Sequence, residues 1–203
     1  MFAPWFIELV SVLSNVCVGI SALAVTIISF VGLQQWRREL TGKTKFDVAH
    51  RMAVLANRYR DEYKKARNPF TFPGESSKRE KGENETHNET DILDEYFARQ
   101  GRLTPLQDIL RQLYEISWEA EILLDKNINR AIVPLEDSFK KLYSSIQAYF
   151  FTRYELIRRN HDFNNDESMQ NYYKVIYGYD DEISDEVEIA TSAIVNKMKS
   201  YLK

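Results

Sequence analysis

Apolar and polar positions divide this chain into one unbroken apolar run followed by a series of amphipathic stretches. From Leu9 to Leu33 no charged residue occurs. As an α-helix those residues cover about 37 Å, against about 30 Å for the hydrocarbon core of a bilayer. A lone segment in lipid must satisfy its backbone internally, so a helix is the form expected. A cleaved signal peptide fits poorly, because Met1–Pro4 carries no positive charge and the apolar run is too long.

Downstream the periodicity changes to that of half-buried helices. Within Thr44–Arg67, Phe46, Ala49, Met52, Ala53, Ala56, Tyr59, Tyr63 and Ala66 recur at steps of three and four, opposite Lys45, Arg51, Arg58, Arg60, Lys64 and Lys65. Gly42 predicts a bend between this helix and the apolar one, and Asn68-Pro69 predicts its end. Residues 69–90 are polar and aperiodic, which predicts a mobile loop. Asp91–Gln100 reads as a short helix. Thr104-Pro105-Leu106-Gln107 reads as a fresh start, with a threonine cap, proline at the first position and a capping-box glutamine. That helix runs to about Asp125, the next from near Pro134 to about Asn160, and the last over roughly Asp181–Leu202. Tyr172–Tyr179 forms a short helix or turn that packs aromatics.

The fold expected is all-α: one N-terminal transmembrane helix (residues 1–36), then a cytosolic antiparallel bundle of about four long helices (37–203). Lys and Arg are absent upstream of the run, whereas Trp36-Arg37-Arg38, Lys43 and Lys45 follow it. Positive charge stays inside, which places the chain in the inner membrane as a single pass, N-terminus outside and C-terminus cytoplasmic. Trp36, Arg37, Arg38, Lys43 and Lys45 are then the inner-leaflet contacts. Within the run, Glu8, Asn15, Gly19, Ala22, Thr26 and Ser29 share one helix face at heptad spacing. Such a stripe of small and polar residues lets spans approach and hydrogen-bond, predicting self-association. The opposing reading is a lone anchor whose Ser and Thr bond back to their own helix.

Composition sharpens this. Net charge is −3 and aromatics make up 13% of the chain, which favours a folded cytosolic part and disfavours a polyanion binder. The sole cysteine, Cys17, lies in the apolar run, so no disulfide framework or thiolate site forms within one chain. Charge is segregated. Residues 34–67 hold ten basic and four acidic side chains, residues 162–190 nine acidic and one basic. Either the acidic part stands away from anionic lipid on a basic stalk, or the two stretches pair.

Candidate chemistry is sparse. Asp162-Phe-Asn164-Asn-Asp166 begins like a calcium loop, but Glu167 replaces the required glycine and Tyr173 the closing glutamate. His50, His87 and His161 have no ligand spacing, and the seven glycines form no phosphate loop. Asn84-Glu-Thr86 and Asn88-Glu-Thr90 are formal glycosylation sequons, without meaning on a cytosolic segment. No cofactor, nucleic acid or small-molecule substrate is expected, and the chain reads as non-enzymatic.

Trp36-Arg37-Arg38-Glu39-Leu40, then Gly42-Lys43, then a helix ending Arg67-Asn68-Pro69-Phe70, resembles uncharacterised short bacterial membrane proteins with one N-terminal span and a helical cytosolic part. The resemblance carries no activity and no functional residue. Its architecture is similar to that of membrane-acting components of phage-defence or stress systems. The function expected is protein–protein interaction or self-assembly by the bundle at the membrane, with membrane lipid, a protein partner or a second copy as partners. The alternative is a membrane-perturbing effector that oligomerises through the stripe of its span.

Overall fold

The computed structural model describes residues 4–72, 74–159, 167–178 and 181–202. Five helices follow one another, with no strand among the described residues: α1 (Pro4–Ala66), α2 (His87–Leu123), α3 (Ile128–Arg158), α4 (Glu167–Ile176) and α5 (Glu182–Lys199). The chain divides into two compact units, Met1–Thr44 and Lys45–Lys203.

The first unit is helical throughout its described part. Gly42 lies inside α1 and does not end it, so the expected break there is absent. A glycine inside a helix costs roughly 1 kcal/mol relative to alanine. Beside it the Thr41 and Thr44 hydroxyls donate back to the Arg37 and Leu40 carbonyls at 2.9 Å each.

The second unit is a helical bundle around one core. Met52, Ala56, Tyr59 and Tyr63 from α1 meet Leu106, Leu113 and Ile116 of α2, Leu135, Leu142 and Ile146 of α3, and Val187, Ile194 and Met198 of α5. These are the expected inward positions. Phe46 is the exception: it is 42% exposed and stacks on His50. Chain direction follows from end contacts. Arg51 pairs with Glu119 while Arg99 reaches the Ala66 carbonyl, so α2 runs back along α1. Arg67 meets Asp181 at the start of α5, and the Tyr201 hydroxyl donates to Leu124 near its end. Neighbouring long helices therefore alternate in direction, with α3 packed on α2, α4 and α5.

Three boundaries differ from expectation. Thr104 does not start a helix; α2 begins at His87 and passes through Pro105. The capping box is Thr86 with Glu89, whose carboxylate accepts from the Thr86 N–H at 2.9 Å. Proline removes one helical hydrogen bond and crowds the carbonyl four residues back, here that of Gly101. Both Pro105 and Gly101 are exposed, so water can satisfy that carbonyl. Similarly, α3 starts at Ile128 and carries an exposed Pro134 internally.

Residues 69–90 are the third difference. Arginines tie the described residues of this segment to α2. Arg79 pairs with Glu85 at 2.8 Å and with Asp94 at 2.5 Å. Arg102 pairs with Glu75 at 2.7 Å and donates to the carbonyls of Asn68 and Phe70. Two arginines at 10% and 11% side-chain exposure hold the loop at both ends.

Candidate functional site

Two features invite a functional reading: the bare surface of α1 and a buried arginine knot where α1 ends. In the first unit, Leu13, Val18, Ile20, Leu23, Val25, Ile27, Ile28, Phe30, Val31 and Leu33 are all exposed. Among the described residues α1 is the one helix long and apolar enough to cross a bilayer.

Asn15, Gly19, Ala22, Thr26 and Ser29 are exposed on this helix, and the space where a Cβ on Gly19 would point is empty. The Glu8 side chain lies outside the described residues. Thr26 donates its hydroxyl to the Ala22 carbonyl at 2.8 Å, so that member of the stripe is satisfied within its own helix. Trp36, Arg37, Arg38 and Lys43 are exposed beyond the apolar run, and Lys45 is half-buried at the start of the second unit.

At the other end of α1, Arg67 is fully buried and uses every N–H it has. Nε donates to the Val175 carbonyl at 2.7 Å and Nη2 to that of Lys174 at 2.9 Å. Nη1 and Nη2 each reach one Asp181 oxygen at 2.7 Å, and Nη1 also donates to the Ser184 hydroxyl at 2.7 Å. The two carbonyls belong to the last turn of α4, where a cation is favoured by the helix dipole. Asp181 in turn caps α5, accepting from Ser184 N–H at 3.0 Å. One guanidinium thus closes the end of α1, the end of α4 and the start of α5. The Arg67 guanidinium holds the Asp181 carboxyl well below the usual carboxylate range, against the opposing effect of burial.

Arg99 makes the second half of the knot. It donates to the Asn68 and Pro69 carbonyls and lies 4.5 Å over the Tyr177 ring. Burial pulls its pKa down, which is the cost of holding a guanidinium at 1% exposure. The Tyr177 hydroxyl donates to Glu95 at 2.6 Å, and Arg153 pairs with the same carboxylate at 3.0 Å. Burial first and Glu95 second push the Tyr177 phenol upward, so it stays protonated. The aromatic run around Tyr172–Tyr177 packs as α4, with Tyr173 and Tyr177 4.4 Å apart; Tyr179 lies outside the described residues.

Sequence reading places Arg67 at a helix end among basic residues and Gly178 at the end of the aromatic run, and it singles out neither Arg99 nor Glu95. A Cβ on Gly178 would collide with Arg67 Nη2 and Asp181 Oδ2, so this glycine gives the ion pair its space. The one local signal was a glycine followed at once by an acidic cluster.

The charge segregation is answered within the bundle. Glu188 of α5 accepts from Arg60 at 3.2 Å and Lys64 at 3.3 Å, beside the Arg67–Asp181 pair. The last turns of α1 pair with the first turns of α5, which is the second of the two expected arrangements.

An open groove of about 370 Å³ lies between α1 and α2, lined by His50, Arg51 and Val54 on one side and Gln112, Glu115 and Glu119 on the other. No cluster of three potential metal ligands occurs among the described residues. His161 and Asp162–Asp166, the calcium-loop look-alike, lie outside them. No protein-family model, curated protein or solved structure matches the chain.

Proposed function

We propose that this chain is a non-enzymatic, single-pass inner-membrane protein whose cytosolic helical bundle binds protein, a partner or a second copy, at the membrane. The observation that carries this reading is the uncovered apolar surface of α1. Ten large apolar side chains from Leu13 to Leu33 are about half exposed or more, whereas the core of the second unit begins only at Val48. Fully burying a side chain of that kind is worth about 2 kcal/mol, so leaving ten of them roughly half exposed costs on the order of 10 kcal/mol. That is comparable to the net stability of an ordinary domain, and lipid removes the cost. The cations from Arg37 to Lys45 then lie at an anionic inner leaflet, with the N-terminus outside. What remains for function is the bundle's surface, where charged stripes and scattered apolar side chains suit macromolecular contact.

Membrane extraction and topology test the reading. The protein should resist alkaline carbonate, and protease added outside intact cells should leave the bundle whole. Release by carbonate, or digestion of the bundle from outside, overturns it.

A further inference from the structure

Two short elements of the second unit lie against the same buried arginine. The strap at residues 68–79 is not seated by its large apolar side chains, since Phe70 and Phe72 are 73% and 59% exposed. Guanidinium groups hold it instead: Arg99 and Arg102 together take the carbonyls of Asn68, Pro69 and Phe70. The other element is α4, whose ten residues are too few for a helix to be stable by itself in water. Arg67 closes its last turn, and the Tyr177 ring that follows lies on Arg99.

Arg99 is therefore covered from two sides, and it is only just satisfied. It is 1% exposed, and its Nε has no hydrogen-bond partner among the described residues. The carboxylate it pairs with, Glu95, is 4.0 Å away and is shared with Tyr177 and Arg153. If the strap lifts while Tyr177 stays, the cation loses its carbonyls yet remains shielded from water, the costly state of a buried charge without partners. If Tyr177 has already moved, water replaces those carbonyls and lifting the strap costs little. Each element opens more readily when the other is open.

We propose that the strap and α4 form a two-part latch that opens as one unit, with Arg99 as the group that couples them. Opening uncovers Tyr149 of α3, which is 7% exposed against the rings of Tyr173 and Tyr177 at 6.2 and 6.0 Å. An aromatic surface is thus presented in the open state and hidden in the closed one. Both elements belong to the second unit, so the latch works irrespective of how the first unit is accommodated.

Amide hydrogen exchange of the full chain in detergent tests the coupling, read over residues 70–80, over 168–176 and, as reference, over 142–146 in α3. Arg102→Ala perturbs the strap alone, because the hydrogen bonds of Arg102 run to it. Ile176→Ala perturbs α4 alone, where Ile176 is fully buried. Each variant should speed exchange in both elements by a similar factor, roughly tenfold for a coupling of ordinary size, and leave the α3 amides unchanged. In an Arg99→Met background each variant should speed its own element and no longer the other. Exchange that quickens only in the perturbed element, in neither element, or in both regardless of Arg99→Met overturns the latch.

Discussion

Arg67 and Asp181, 114 residues apart in the chain, form a bidentate ion pair with both contacts at 2.7 Å. The arginine side chain is 1% exposed and the aspartate 33%, so the pair sits at the boundary of the core, with the cation inside. Its partners from α4 and α5 make it the closure of the bundle end, and its asymmetry of burial has measurable consequences.

Asp181→Ala leaves a buried guanidinium with carbonyls and a hydroxyl but no counter-ion. Removing one partner of such a pair costs about 3–5 kcal/mol. Adding Arg67→Met removes the stranded charge, so the double variant should be more stable than the sum of the single losses implies. Denaturant unfolding of the second unit measures all three. Simple additivity would show that the two side chains are not coupled.

Acid should weaken the fold through the same pair. Asp181 is depressed in the folded state, chiefly by Arg67, so the unfolded chain takes up its proton first as pH falls. The contribution is fully present above about pH 4, near the unfolded aspartate pKa, and is lost as pH drops through the folded value. Glu85, lowered to about 2 by Arg79, acts in the same direction. Stability measured between pH 6 and pH 3 should therefore fall, and less steeply for Asp181→Asn. An equal slope in that variant would remove Asp181 from the cause.

Gly178→Ala tests the space around the pair. The new methyl collides with Arg67 Nη2 and Asp181 Oδ2, neither of which can retreat without breaking a hydrogen bond. Forced overpacking of this kind costs about 1–3 kcal/mol. Gly101→Ala is the control, because its Cβ would meet nothing within 4 Å. Thermal unfolding should separate the two, with alanine at 101 neutral or slightly stabilising.

Arg102→Ala should free the segment after α1. The side chain donates to the Asn68 and Phe70 carbonyls and pairs with Glu75, and no second cation repeats the Phe70 contact among the described residues. Limited proteolysis between residues 70 and 80 should quicken, while cleavage within α5 does not. Unchanged cleavage would mean that Arg79 and Arg99 suffice to hold the loop.

The helices themselves were legible because burial repeats at three and four residues. Ala49, Met52, Ala56, Tyr59 and Tyr63 announced their face, as did Val187, Ile194 and Met198. Boundaries were less legible. Thr104-Pro105 carries every local mark of a helix start, yet Leu103 and Leu106 are both buried against the core. Packing on either side keeps the helix running through the proline, and propensity gives way to it. The loop at 69–90 reads as mobile because it lacks periodicity and is rich in Glu, Lys, Ser, Asn and Gly. Its order comes from Arg79, Arg99 and Arg102, whose partners lie up to 34 residues away.

By itself the sequence determined what depends on neighbours along the chain: an apolar helix long enough to cross a bilayer, its charged exit, and the inward faces of the helices that follow. Only the tertiary structure decided which of the many surface-type charges are buried, because Arg67 and Arg99 look no different from Arg58 or Arg111 in one dimension. A guanidinium can leave water only where carbonyls and a carboxylate from distant segments converge on it, and that convergence belongs to the packing of α1, α4 and α5. The same packing sets the last turns of α1, which are basic, against the acidic first turns of α5.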